Sequence, residues 1–83
     1  YMKIQATLIV PAIGAAHNVL LPASLKIKDM LPLLIKGTIE LSNNGYVSSN
    51  EEFLCLAPLD LPLNPDGTLL QYGVQNGDYL YLI

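Results

Sequence analysis

The sequence contains no arginine and only four lysines in 83 residues, and its formal net charge is −3. Without a cationic stripe nothing displaces the counterions of a phosphate backbone, which argues against nucleic acid and an anionic membrane surface as partners. Cysteine and histidine occur once each, as Cys55 and His17. A single thiol closes no internal disulfide and a lone imidazole builds no multi-histidine site, so neither a metal nor another cofactor is expected. Long apolar runs are missing too. Lys26, Lys28, Asp29 and Lys36 interrupt the richest region, well short of the ~18 residues that a bilayer span requires, and no membrane insertion is expected. A reducing, cytoplasmic setting is the simplest one for such a chain.

Hydrophobic residues nonetheless make up 52% of the sequence and charged ones only 13%. That is ample apolar surface to offset the entropy lost on ordering, so the chain is expected to fold around one core. A single domain over residues 2–83 is expected, with Met2 as the natural start and Tyr1 as an expression remnant. Lys3 followed by an apolar stretch ending in Gly14-Ala15-Ala16 mimics a secretory signal. Gln5, Thr7 and Pro11 dilute it, and its removal would delete a strand that the remainder needs.

Lys3 to Val10 alternates Ile4, Ala6 and Leu8 against Lys3, Gln5 and Thr7, the period of a half-buried strand. Pro11 to Ala16 predicts a hairpin loop, and Asn18 to Leu21 a returning strand with Val19 and Leu21 inward. Ile27, Met30, Leu31, Leu34, Ile35, Ile39 and Leu41 then recur at helical spacing. Pro32 is best accommodated if Asp29 is the N-cap, which places the proline in the first turn; a start near Ile27 with a kink is the other option. Ser42-Asn43-Asn44-Gly45 is a strong stop. The polar segment Tyr46–Glu52 predicts a loop, and Phe53 to Ala57 a third strand with Leu54 and Leu56 inward. Pro58 and Pro62 bracket an irregular piece with Leu61 or Leu63 tucked under the sheet.

The last third is the most explicit. Pro65-Asp66-Gly67 forms a turn, Thr68 caps one short 3-10 turn that Gly73 ends in a left-handed conformation, and Asn76-Gly77 re-aims the chain. Tyr79 to Ile83 alternates, with Leu80 and Leu82 on one side. First and last strands must lie side by side and parallel, with the helix as the crossover that parallel pairing demands. The expected class is therefore α+β: a β-grasp domain with a mixed sheet of four to five strands packed on one α-helix.

Two stretches narrow this further. Val19-Leu20-Leu21-Pro22-Ala23-Ser24-Leu25-Lys26-Ile27-Lys28-Asp29 and the closing Gly77-Asp78-Tyr79-Leu80 step resemble the YukD/EsaB family of small bacterial ubiquitin-like proteins. That resemblance implies a cytoplasmic accessory of a type VII secretion system, the kind that exports WXG100 proteins, with secretion components as protein partners and no catalytic residues. The ubiquitin-like modifiers and sulfur carriers end in diglycine, whereas this sequence ends Leu82-Ile83. A modifier or sulfur carrier whose diglycine tail lies beyond the sequence in hand is the alternative.

Candidate chemistry is sparse. Cys55 has no basic neighbour and is expected to be a passive thiol; a Cys55–His17 dyad requires a loop histidine to reach a strand cysteine. Glu51 and Glu52 are expected to be solvated charges, and Asp66 and Asp78 turn residues. The outer sheet face is different. Phe53, Cys55, Ala57, Tyr79, Tyr81 and Ile83 are predicted to crowd the side opposite the helix, a largely apolar patch suited to protein docking or to self-association.

Overall fold

The computed structural model describes residues 2–57 and 61–83. Strand β1 (Lys3–Val10) and strand β2 (Ala15–Pro22) form an antiparallel hairpin, Lys3 opposite Pro22 and Val10 opposite Ala15. Helix α1 (Ile27–Leu41) follows, then β3 (Leu54–Leu56), β4 (Leu61–Pro62) and β5 (Tyr79–Leu82). The five strands form one sheet in the order β2-β1-β5-β3-β4, with β1 and β5 parallel at its centre. This is the expected ubiquitin-like β-grasp.

The core follows from alternation. Ile4, Ala6, Leu8 and Val10 of β1, Leu54 and Leu56 of β3, and Leu80 and Leu82 of β5 are all buried, and they meet Ile27, Met30 and Leu34 of α1. Each fully buried leucine contributes roughly 1.5–3 kcal/mol of transfer free energy. Leu63 is also buried in this cluster, whereas Leu41 is exposed and does not share the stripe.

The hairpin differs from the sequence reading at its tip. Pro11–Ile13 forms a 3-10 turn, the Gly14 N–H donates to the Pro11 carbonyl, and Gly14 takes φ 61°. That compression frees Ala15 and Ala16 to pair with Val10 and Ile9, so β2 begins three residues earlier than its alternation shows. The 3-10 turn thus lies here and not at Thr68.

Helix α1 starts at Ile27 with Lys26 as N-cap, and the preferred Asp29 cap is overturned. The reason is non-local. The first orphan donors of a helix need acceptors, and here the Ile27 N–H donates to the Gly67 carbonyl and the Lys28 N–H to the Pro65 carbonyl, both at 2.9 Å. Pro32 consequently lies inside the helix, where the donor that would reach the Lys28 carbonyl is missing. At the other end Ser42-Asn43-Asn44 stops the helix as expected, with Asn43 and Asn44 in the left-handed region and the Asn44 N–H donating to the Ile39 carbonyl.

The closing connection is organised as its residues suggest. Thr68 and Gln71 cap each other reciprocally: the Gln71 N–H donates to the Thr68 Oγ1 (3.2 Å) and the Thr68 N–H to the Gln71 Oε1 (3.0 Å). Bonds from the Val74 N–H to the Leu69 carbonyl and from the Gly73 N–H to the Leu70 carbonyl, with Gly73 at φ 69°, complete a Schellman ending. One turn residue is reassigned. The Asn64 side chain, not that of Asp66, closes the Pro65-Asp66-Gly67 turn by accepting from the Asp66 N–H. Asp66 instead faces Lys28, 3.4 Å away in an exposed ion pair.

Candidate functional site: the outer sheet face

Strands β3 and β5 pair with Cys55 opposite Tyr81. The pairing continues beyond both strand ends: Phe53 and Ile83 exchange N–H to carbonyl bonds of 2.7 and 2.9 Å, and the Ala57 N–H donates to the Tyr79 carbonyl. Phe53–Ile83, Cys55–Tyr81 and Ala57–Tyr79 are therefore three successive cross-strand rows. Their inward neighbours belong to the core, so all six side chains share the face away from α1. Phe53 is 50% exposed, Tyr79 53% and Ile83 59%; Tyr81 and Ala57 are half-buried. Ile9, opposite Tyr81 on β1, extends the patch, and sequence reading missed it because β1 is legible only as a core strand.

Cys55 departs from the expected exposure: it is buried. It occupies the middle row of a three-strand stretch, with Tyr81 on one side and Pro62 on the other, and the larger neighbours cover so small a side chain. It therefore belongs beneath the patch and offers little contact area of its own. The Cys55–His17 dyad is also excluded by position. His17 stands on β2, three strands away in the sheet, which is about 14 Å at the usual interstrand spacing. It pairs with Leu8, whose side is the helix side, opposite that of Cys55.

The acidic pair Glu51-Glu52 is split by the fold. Glu51 is exposed, but Glu52 is only 9% exposed and its Oε2 accepts a 2.7 Å bond from the hydroxyl of Tyr46, itself buried. Burial pushes the Glu52 carboxyl up, yet hydrogen bonding from Ser48, Tyr46 and the backbone of Glu52 and Ser49 outweighs it and holds the group below its ordinary range. Burial, the bond to Glu52 and the charge of that carboxylate push Tyr46 up to about 12. Sequence reading missed this pair because its six-residue spacing matches no periodicity; the signal was a tyrosine inside an otherwise polar segment. The pair ties the two ends of the 46–52 loop together, and Tyr46 anchors it by packing in the core cluster. Among the described residues no cluster of three or more histidine, cysteine, aspartate or glutamate side chains could hold a metal ion, and no helix is long and apolar enough to cross a membrane.

Neither the known protein-family profiles nor the curated proteins contain a match to this chain. Solved structures do match. The EccD5 ubiquitin-like domain from Mycobacterium xenopi is 21% identical, with a TM-score of 0.83 over 100% of this chain and 94% of that one. The ubiquitin-like domain of the Mycobacterium tuberculosis type VII secretion system protein ECCD1 is 17% identical, with a TM-score of 0.81 over 100% and 99%. The ubiquitin of Caldiarchaeum subterraneum gives 14% and 0.67 over 99% and 92%. The fold is ubiquitin-like.

Proposed function

We propose that the chain is a non-catalytic protein-interaction module of a type VII secretion system, working on the cytoplasmic side as the YukD/EsaB proteins do and docking through its outer sheet face. The carrying observation is the contiguous row of Phe53, Tyr79, Tyr81 and Ile83 on a face that the core does not need. Apolar patches of this kind on small domains mark interfaces, and tyrosine and phenylalanine are enriched in them. The secretion context is supported by the higher TM-scores of the two mycobacterial domains, 0.83 and 0.81 against 0.67 for the archaeal ubiquitin.

Affinity co-purification from the native bacterium tests this, comparing the wild-type chain with Tyr81→Asp and Ile83→Asp. Both side chains are partly exposed, so the variants are expected to stay folded and to lose the secretion components that wild type retains. Equal recovery by both variants would reject the face. Covalent adducts on other proteins would reject the non-modifier reading.

A further inference from the structure

Two asparagines in the chain precede glycine, Asn44-Gly45 after α1 and Asn76-Gly77 before β5. This dipeptide is the least hindered one for attack of a backbone nitrogen on the preceding side-chain amide, because glycine has no β-carbon to block the approach. The fold treats the two sites differently. At Asn76 the side-chain Oδ1 accepts from the Gln5 N–H (2.9 Å), and the Gly77 N–H donates to the Gln5 carbonyl (2.8 Å). Both reacting groups are therefore tied to the backbone of β1, next to its pairing with β5. Freeing them means detaching this turn from a central strand.

Asn44 and Gly45 are held only locally. Both are exposed, and among the described residues nothing bonds to the Asn44 side chain. The Gly45 N–H reaches the Ser42 carbonyl, three residues back in the same turn (3.0 Å), and the Ser42 Oγ accepts from the Tyr46 N–H (3.0 Å). Bonds of this kind at a fraying helix end open far more often than bonds to a central strand. Asn44 itself stands at φ 66°, in the left-handed region that asparagine and glycine tolerate.

We propose that Asn44 is a site of spontaneous chain modification, and that the reaction loosens the 46–52 loop. When the turn opens, the Gly45 nitrogen gives its proton to solvent base and attacks the Asn44 Cγ. The new C–N bond closes a five-membered succinimide as the Cγ–Nδ2 bond breaks and ammonia leaves. Water then opens the ring. Attack at the Asn44 main-chain carbonyl breaks the original peptide bond and leaves isoaspartate, joined to Gly45 through Cγ; attack at Cγ breaks the new bond and leaves aspartate. Isoaspartate adds one atom to the main chain between residues 44 and 45, so the Gly45 and Tyr46 bonds to Ser42 lose their register. Either product also places a carboxylate at the C-terminal end of α1, where the helix dipole is already negative. Tyr46, two residues on, is the loop's anchor in the core.

The test is incubation of the purified chain at mildly alkaline pH, folded and in guanidinium chloride, followed by digestion at glutamate and mass spectrometry. Cleavage at Glu40, Glu51 and Glu52 separates Asn44 from Asn76. Each event adds one mass unit, and electron-transfer fragmentation distinguishes isoaspartate from aspartate. In the folded chain product is expected at Asn44 at least about tenfold faster than at Asn76, the factor set by one additional hydrogen bond to be broken. In guanidinium chloride the two rates should converge, because both sites then meet the same solvent. Incubated wild type should unfold at a lower urea concentration than fresh protein. Asn44→Gly keeps a residue suited to the left-handed turn while deleting the amide, so its urea midpoint should not move on incubation. Equal rates in the folded chain, a faster Asn76, or a rate ratio that survives in guanidinium chloride would overturn the assignment. An incubated wild type with the midpoint of fresh protein, or an Asn44→Gly variant whose midpoint falls as far as wild type's, would overturn the effect on the loop.

Discussion

Two connections leave the sheet without regular structure, residues 42–53 and residues 63–78, and they are held by different means. The later one is built from backbone bonds and local caps: the Asn64 turn, the Thr68–Gln71 pair, the Gly73 ending, and the Asp78 Oδ2 accepting from the Gln75 N–H. It also sends Leu63, Leu69 and Val74 into the core. The earlier one sends in a single aromatic, Tyr46, whose hydroxyl meets a buried carboxylate. One connection is a local code reinforced by the burial of three apolar side chains; the other has serine turns at Ser42, Ser48 and Ser49 but rests its burial on Tyr46 and the carboxylate it meets. Exposed local caps can be replaced by water, whereas a buried carboxylate that loses its tyrosine donor is left under-bonded where water does not reach.

Substitutions separate the two designs, and the largest effect falls on apolar burial. Leu69→Ala in the later connection removes a fully buried side chain and should lower unfolding free energy by about 2–5 kcal/mol in urea titration. Tyr46→Phe in the earlier one strips the donor from a buried carboxylate and should cost about 1–3 kcal/mol by the same measurement. The pH dependence belongs to this pair as well. Tyr46 binds its proton more tightly folded than unfolded, so its contribution is whole below pH 10 and disappears as pH climbs to about 12, at most about 3 kcal/mol. Glu52, held low, contributes above the ordinary carboxylate range and loses that contribution as pH falls through its lowered value. Urea midpoints should flatten along the alkaline limb in Tyr46→Phe and only in part along the acid limb, where the Ser48 and backbone bonds still hold Glu52 low. Gly73→Ala forces a β-carbon into φ 69° and should cost about 1–2 kcal/mol by thermal melting. Thr68→Ala, with the Gln71 half of its cap left in place, should cost about 0.5–1 kcal/mol. Were Thr68→Ala to exceed Tyr46→Phe, the contrast between exposed caps and a buried polar contact would fail.

A contrast between local and distant contacts also explains what is legible in the sequence. The alternation of Lys3–Val10 and Tyr79–Leu82, the asparagine stop after Leu41 and the glycine at 73 are each written within a few residues, and the strand order follows from them. The outer-face rows were legible for the same reason, since alternation fixes which side Phe53, Tyr79, Tyr81 and Ile83 take. What escaped were contacts between distant residues. The start of α1 is set by carbonyls of Pro65 and Gly67, some forty residues on; the burial of Cys55 by Tyr81 and Pro62 on two other strands; and that of Glu52 by Tyr46 across a loop. Each is a tertiary event with no trace in local periodicity. Pro58 and the short piece after it lie outside the described residues.

The central pairing of β1 with β5 joins residues 7–9 to residues 79–81, and this sets the order of events during synthesis. The hairpin and α1 are made first, yet the middle of the sheet stays open, its leucines uncovered, until β5 has left the ribosome. Loop closure over so long a separation is paid before the contacts that reward it. Folding of the domain as a whole therefore waits for its last strand, and the nascent chain passes through an interval in which the hairpin's inner face is available to chaperones or to another copy.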